Sequence, residues 1–137
     1  MSSDLPDDTK HLIRARAHGR CELCRHPDAA LDVHHRQRRG MGGTSSLDIH
    51  LPSNLIAVCR RCHDWIHQHP SWAIDAGFIV PATSVPWRTL VWIWHVNYAA
   101  PAWYHLDDDA LLTWIGSEHP PPHLPSPWAP TLAQAAA

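Results

Sequence analysis

Two Cys-x-x-Cys pairs, Cys21–Cys24 and Cys59–Cys62, bracket a His34-His35 dipeptide, and the second pair runs straight into His63-x-x-x-His67. Zinc prefers four tetrahedral ligands, and two residues between paired cysteines let both thiolates reach one ion. Two such pairs fill the shell and leave no open position, so the expected zinc is structural. It would tie the start of a domain to the edge of its second half. Structural zinc can add roughly 10 kcal/mol or more of folding free energy, which a small core needs. A thioredoxin-like redox pair fits poorly, because the second pair and its surroundings do not match a βαβ unit. An iron–sulfur cluster suits this spacing less well than zinc.

The imidazoles point to a second site. His34 and His35 are neighbours on a strand predicted over 31–35, so their side chains face opposite ways. His63 and His67 are four apart on a helix predicted from Cys62 to about His67, so they share a face. His34, His63 and His67 can therefore converge on one ion, while His35 remains an unligated base with a pKa near neutrality. Taken singly, each would pass for an ordinary surface histidine in a chain with thirteen of them. A His-His strand followed by a thiol-anchored His-x-x-x-His is a sharper pattern.

The formal net charge of −2 does not advertise a nucleic-acid partner, but its distribution does. Residues 10–63 hold ten Lys or Arg against four acids, whereas residues 71–137 hold only Arg88 against five acids. A basic half beside an acidic half points to a polyanion partner for the first. The opening residues, 1–10, are polar and acidic, with no secretory signal, and no apolar run reaches membrane-spanning length. The expected location is cytoplasmic, where cysteines read as metal ligands before disulfides.

Along the chain, Asp7 or Asp8 can cap a helix running to about His18, with Gly19 as the stop. A knuckle at 21–24, a strand at 31–35, a basic Gly-rich loop at 36–46 and a second strand at 55–58 follow. The helix from Cys62 ends before Pro70, and 71–76 can add a turn. After Gly77 the chain turns rich in Trp and Tyr, favouring strands at 90–96, 103–106 and 111–115 in a small antiparallel meander. A short helix over 109–115 is a rival. Residues 119–137 carry six prolines in nineteen positions and are not expected to fold alone. The expected units are 1–76, 77–118 and a Pro/Ala-rich tail, 119–137.

Cys-x-x-Cys, Asp-Val-His34-His35-Arg, Arg39-Gly-Met-Gly-Gly43 and Ser53-Asn54-Leu-Ile-Ala-Val-Cys59-x-x-Cys62-His63 together resemble the HNH endonucleases, over roughly residues 10–70. The resemblance implies an α+β fold: a small zinc-stapled ββα-metal module, here followed by the Trp-rich extension. It makes His35 the general base and Asn54 the residue that fixes the loop and orients the base. His34 and His63 become metal ligands, with His67 an additional ligand seen in the colicin-like branch. Asp32 becomes a residue that supports a ligand or contacts substrate. The implied reaction is DNA phosphodiester hydrolysis with a Mg²⁺-like ion and a 5′-phosphate product. Imidazole ligands also accept Mn²⁺, Ni²⁺ and Zn²⁺. Arg36, Arg38 and Arg39, on the Gly-rich loop, are expected to hold the DNA backbone beside the cut. Phage members with such extensions often work beside the DNA-packaging terminase, which makes that enzyme an expected partner.

Two other readings stand beside this one. A nucleic-acid-binding module could keep the zinc fold and lose catalysis; the intact His35, Asn54 and His63 set argues against it. A protein-interaction adaptor with a zinc clip would need no basic loop beside the histidines. The tryptophans of the extension could stack on bases, but they more often form the core of a small sheet.

Overall fold

A computed structural model describes residues 5–38, 48–95, 97 and 99–122. The loop over 39–47, with Arg39 and Gly40 to Gly43, and the tail from 123 onward lie outside the described residues.

Helix α1 (Asp7–Arg16) is entered through Pro6, whose fixed φ leads into the first turn. Asp7 and Asp8 sit inside that turn rather than capping it, and Arg14 and Arg16 occupy the last turn. Both placements oppose the helix dipole. The helix ends before the expected His18, because His18 and Gly19 both take positive φ, 57° and 70°. The chain then turns into the first cysteine knuckle.

Strands β1 (Asp32–His35) and β2 (Leu55–Val58) pair antiparallel, with Asp32 opposite Val58 and His35 opposite Leu55. Every residue of β2 is buried. Helix α2 (Arg60–Gln68) follows at once. Pro70 disfavours a helical His69, which takes φ −130° and ψ 62°, and starts the short helix α3 (Pro70–Asp75). Gly77, at φ 83°, turns the chain back, and a Cβ there would collide with the Leu90 carbonyl. The aromatic segment forms β3 (Val91–Ile93), β4 (Ala102–Leu106) and β5 (Leu112–Gly116), an antiparallel sheet in that order. Residues 112–116 are strand, so the rival helix is not formed. β3 is shorter than the run expected over 90–96.

One apolar cluster runs through both halves. It joins Ile13, Leu31, Leu55 to Val58 and Ile66 to Phe78, Val91, Ile93, Tyr104 and Leu106. Backbone bonds stitch the seam: the Trp92 N–H donates to the Ala76 carbonyl and the Trp94 N–H to the Glu22 carbonyl, both at 2.8 Å. Trp92 and Trp94 are buried, so two of the tryptophans serve the core rather than a base-stacking surface.

Arg36 corrects an expectation. Read from the sequence as a DNA contact, it is 1 % exposed. Its Nε donates to the Gly77 carbonyl at 2.7 Å, and its terminal nitrogens to the carbonyls of Ser53 at 2.8 Å, Pro86 at 3.1 Å and Thr89 at 2.6 Å. Burial pushes its pKa down to about 9, so it stays charged at neutral pH. A buried charge persists only when its donors are satisfied, and here carbonyls from three loops satisfy them. Other basic residues of 10–63 are spent similarly. Arg14 donates to the Leu31 carbonyl, Arg20 to that of Arg25, and Arg16 forms a buried pair with Glu22 at 2.7 Å. Arg38, Arg60 and Arg61 remain exposed.

Replacing Arg36 by Met should lower stability by about 3 kcal/mol or more, since several buried carbonyls lose their donor. The exposed Arg38→Ala should change stability by no more than about 0.5 kcal/mol. Urea unfolding of both variants checks the contrast; equal midpoints would show that Arg36 is not a structural hub.

Candidate metal and catalytic site

The thiol cluster is built from two turns that α1 and β2 deliver to one place. Glu22, inside the first Cys-x-x-Cys, anchors the knuckle. Its carboxylate receives Arg16 at 2.7 Å and the Ala57 N–H at 2.9 Å, and its own N–H donates to the Ala57 carbonyl at 2.8 Å. Cys59 stands at the N-terminal boundary of α2 and Cys62 in its first turn. All four cysteines are buried, and their sulfurs lie within 4.8 Å of one another, Cys24 Sγ and Cys59 Sγ at 3.9 Å. Tetrahedral zinc–thiolate bonds of about 2.3 Å imply sulfur separations near 3.8 Å, so this donor set fits a tetrahedral ion. Burial pushes the Cys21 and Cys62 thiols well up. Four ionised thiols this close need a cation.

The second cluster lies along β1 and α2. One ring nitrogen from each of His34, His63 and His67 falls within 4.8 Å of the others. Ring centroids are 5.2 Å apart for His34–His63, 5.5 Å for His34–His67 and 4.9 Å for His63–His67. His34 is buried, and its Nε2 sits 2.7 Å from the Phe78 carbonyl. A carbonyl only accepts, so Nε2 carries the proton and Nδ1 keeps its lone pair. By the same logic the His63 Nδ1 donates to Asp32 Oδ2 at 3.0 Å, which frees its Nε2. Metal-binding histidines are commonly fixed this way, the second nitrogen donating to a carbonyl or carboxylate. Burial, opposed by the Phe78 bond and reinforced by His63 and His67, holds His34 down to about 3. His67 is exposed and also shifted down, by partial burial and then by His63. Neutral imidazoles are the form that binds a metal ion.

Asp32 therefore faces His63 and also Arg60, at 3.3 Å.

His35 points away from the trio. It is half-buried, and its Nε2 lies 3.1 Å from His50 Nδ1. Burial, then His50 and His63, holds its pKa down to about 4, so the ring is neutral at neutral pH, with one nitrogen protonated and the other carrying a lone pair. Asn54, 1 % exposed, clamps the surrounding backbone. Its Oδ1 accepts the Gln37 N–H at 2.8 Å, and its Nδ2 donates to the carbonyls of Gln37 at 2.8 Å and Ile49 at 2.9 Å. Its main-chain carbonyl accepts the Arg36 N–H at 2.8 Å, next to His35.

Three contributors had no signal in the sequence. The Phe78 carbonyl comes from beyond the motif, at a sequence distance of 44. His50 lies in a stretch with no recognisable spacing. Asp108 of the extension accepts the Ser53 N–H at 3.0 Å, beside Asn54.

Comparison with known proteins adds one finding. Residues 21–69 match the family model of the HNH endonuclease. No curated protein and no solved structure matches the chain significantly. The matched span runs from Cys21 through both histidine pairs and Asn54, so this stretch carries the likeness to an HNH endonuclease domain.

Proposed function

We propose that this chain is a divalent-metal-dependent endonuclease that hydrolyses DNA phosphodiester bonds. The observation that carries the reading is the separation of roles within one strand. His34 joins a three-imidazole cluster with its tautomer fixed, while the next residue, His35, stays outside that cluster with a ring nitrogen to spare. The four cysteines would hold a structural Zn²⁺. His34, His63 and His67 would hold Mg²⁺, Mn²⁺ or Ni²⁺, which would supply positive charge to the phosphate and the leaving 3′ oxygen.

In this reading His35 removes a proton from the attacking water, and the proton stays on its imidazole as the new P–O bond forms. The water enters in line, opposite the 3′ oxygen, which leaves a 5′ phosphate on the product. Asn54 keeps the ring in place by fixing the backbone after His35. Asp32 orients His63. Arg38 and Arg61, both exposed, can neutralise DNA phosphates, and the sequence resemblance adds Arg39. Such contacts select no bases and weaken with salt. A partnership with a phage packaging terminase is supported by the sequence resemblance alone.

The test is conversion of supercoiled plasmid to the nicked form, in Mg²⁺, Mn²⁺, Ni²⁺ and Zn²⁺ separately. Wild-type protein should nick with at least one ion. His35→Ala should lose nicking, with zinc content and melting temperature unchanged. Nicking by His35→Ala at the wild-type rate would remove His35 as the base. A wild-type protein that binds DNA but nicks with none of the ions would favour the binding-module reading.

Mn²⁺ titration by calorimetry resolves the ligands. His34→Ala and His63→Ala should abolish tight binding, and Asp32→Asn should weaken it about 10-fold, the usual effect of losing a ligand's supporting partner. The exposed His67→Ala should have the smaller effect. Equal loss for all three histidine variants would make His67 a full ligand.

A further inference from the structure

The contact between His35 and His50 lies within residues 21–69, but the sequence resemblance gives His50 no role. His50 ends a one-turn 3-10 helix, Asp48–His50, and is half-buried. Both of its chain neighbours are tied to Asn54. The Ile49 carbonyl accepts from Asn54 Nδ2 at 2.9 Å, and the Leu51 carbonyl accepts from the Asn54 N–H at 2.9 Å. The residue after His35 is tied to Asn54 as well, through the Arg36 N–H. One asparagine thus sets the separation of the two rings, whose centroids lie 5.2 Å apart at an interplanar angle of 60°.

We propose that His50 is a positioning residue for the general base: it accepts a hydrogen bond at Nδ1 from the Nε2–H of His35 and so fixes the ring and tautomer of that base. This rests on the reading of His35 as the base. The alternatives at a 3.1 Å contact between two imidazole nitrogens are only two. If His50 Nδ1–H donated, His35 would carry its own proton on Nδ1 and have no lone pair left, so the contact would mask the base. If His35 Nε2–H donates, its Nδ1 lone pair is free to take the proton of the attacking water. The positive charge then formed on His35 is shared with His50 through the same bond. A carboxylate plays this part towards the histidine of a Ser-His-Asp triad; here a neutral imidazole does so.

The Asn54 clamp keeps the two rings within reach of each other, and only the second arrangement leaves His35 able to act as a base. Both backbone segments are already held at hydrogen-bonding distance, so the ring contact needs no rearrangement to persist while substrate is bound.

Two measurements on the full zinc-loaded chain test this. In steady-state plasmid nicking, His50→Ala should lower kcat about 10- to 100-fold, the scale seen when a supporting partner is lost. KM for DNA and the melting temperature should be unchanged. His50→Asn, whose side-chain oxygen can take the place of Nδ1 as acceptor, should recover most of the rate. An unchanged or raised kcat in His50→Ala, or no recovery with Asn, would overturn the proposal. Long-range ¹H–¹⁵N correlation of the histidine rings reads the tautomer without any reaction. His35 should be protonated at Nε2 in the wild type and a tautomer mixture in His50→Ala. Protonation at Nδ1 in the wild type would mean that His50 masks the base. Because this second readout needs no nicking, it keeps the His50 proposal separable from the nuclease reading: a chain inactive with every ion defeats the latter whatever tautomer His35 shows.

Discussion

Four buried sulfurs drawn within 4.8 Å of one another constrain the rest of the molecule. Their apolar surroundings disfavour ionised thiols, and their closeness adds mutual repulsion, so the proposed zinc turns an unfavourable cluster into a bond between two chain segments. One segment is the knuckle after α1; the other is the start of α2. Cys62 lies in the first turn of that helix, and His63 is the next residue. The angular position of the imidazole on the helix is thereby set by the thiol beside it. His67, one turn further on, shares that face.

The second constraint is polar and reaches from the matched span into the segment beyond it. Arg36 and Asn54 spend their side chains on backbone groups, and between them they hold the 49–54 segment, the 77–90 segment and the end of β1 together. The Phe78 carbonyl fixes the tautomer of His34, and the Asp108 carboxylate holds the Ser53 N–H. Residues beyond 76 are therefore part of what orients the candidate site, in addition to sharing its core. Cutting the chain after Ala76 would remove the acceptor that leaves His34 Nδ1 free.

The cysteine and histidine clusters were legible because the chemistry of metal binding dictates spacing. Two residues between paired cysteines, and three between His63 and His67 on a helix, are geometric requirements that appear directly in the sequence. The strands of the aromatic segment were legible for a similar reason, since Trp, Tyr, Val and Ile crowd into short runs. The fate of the arginines was not legible. Arg36 and Arg38 look alike on a basic loop, yet one is buried against carbonyls and the other exposed, and only long-range packing separates them. His50 and Asp108 were hidden because each acts through a contact between segments far apart in the chain. The number of basic residues in the first half likewise overstated how many can touch a partner directly, because the side chains of Arg14, Arg16, Arg20 and Arg36 are engaged internally.

The proposed function divides labour between a closed thiolate site that would maintain the fold and an open imidazole site that would perform the chemistry. X-ray absorption at the zinc edge, on protein dialysed against EDTA, tests it most directly. The expected result is one retained zinc per chain with four sulfur neighbours at about 2.3 Å and no nitrogen neighbours. A chain that loses all zinc and still melts cooperatively, or whose retained zinc has nitrogen neighbours, would contradict it.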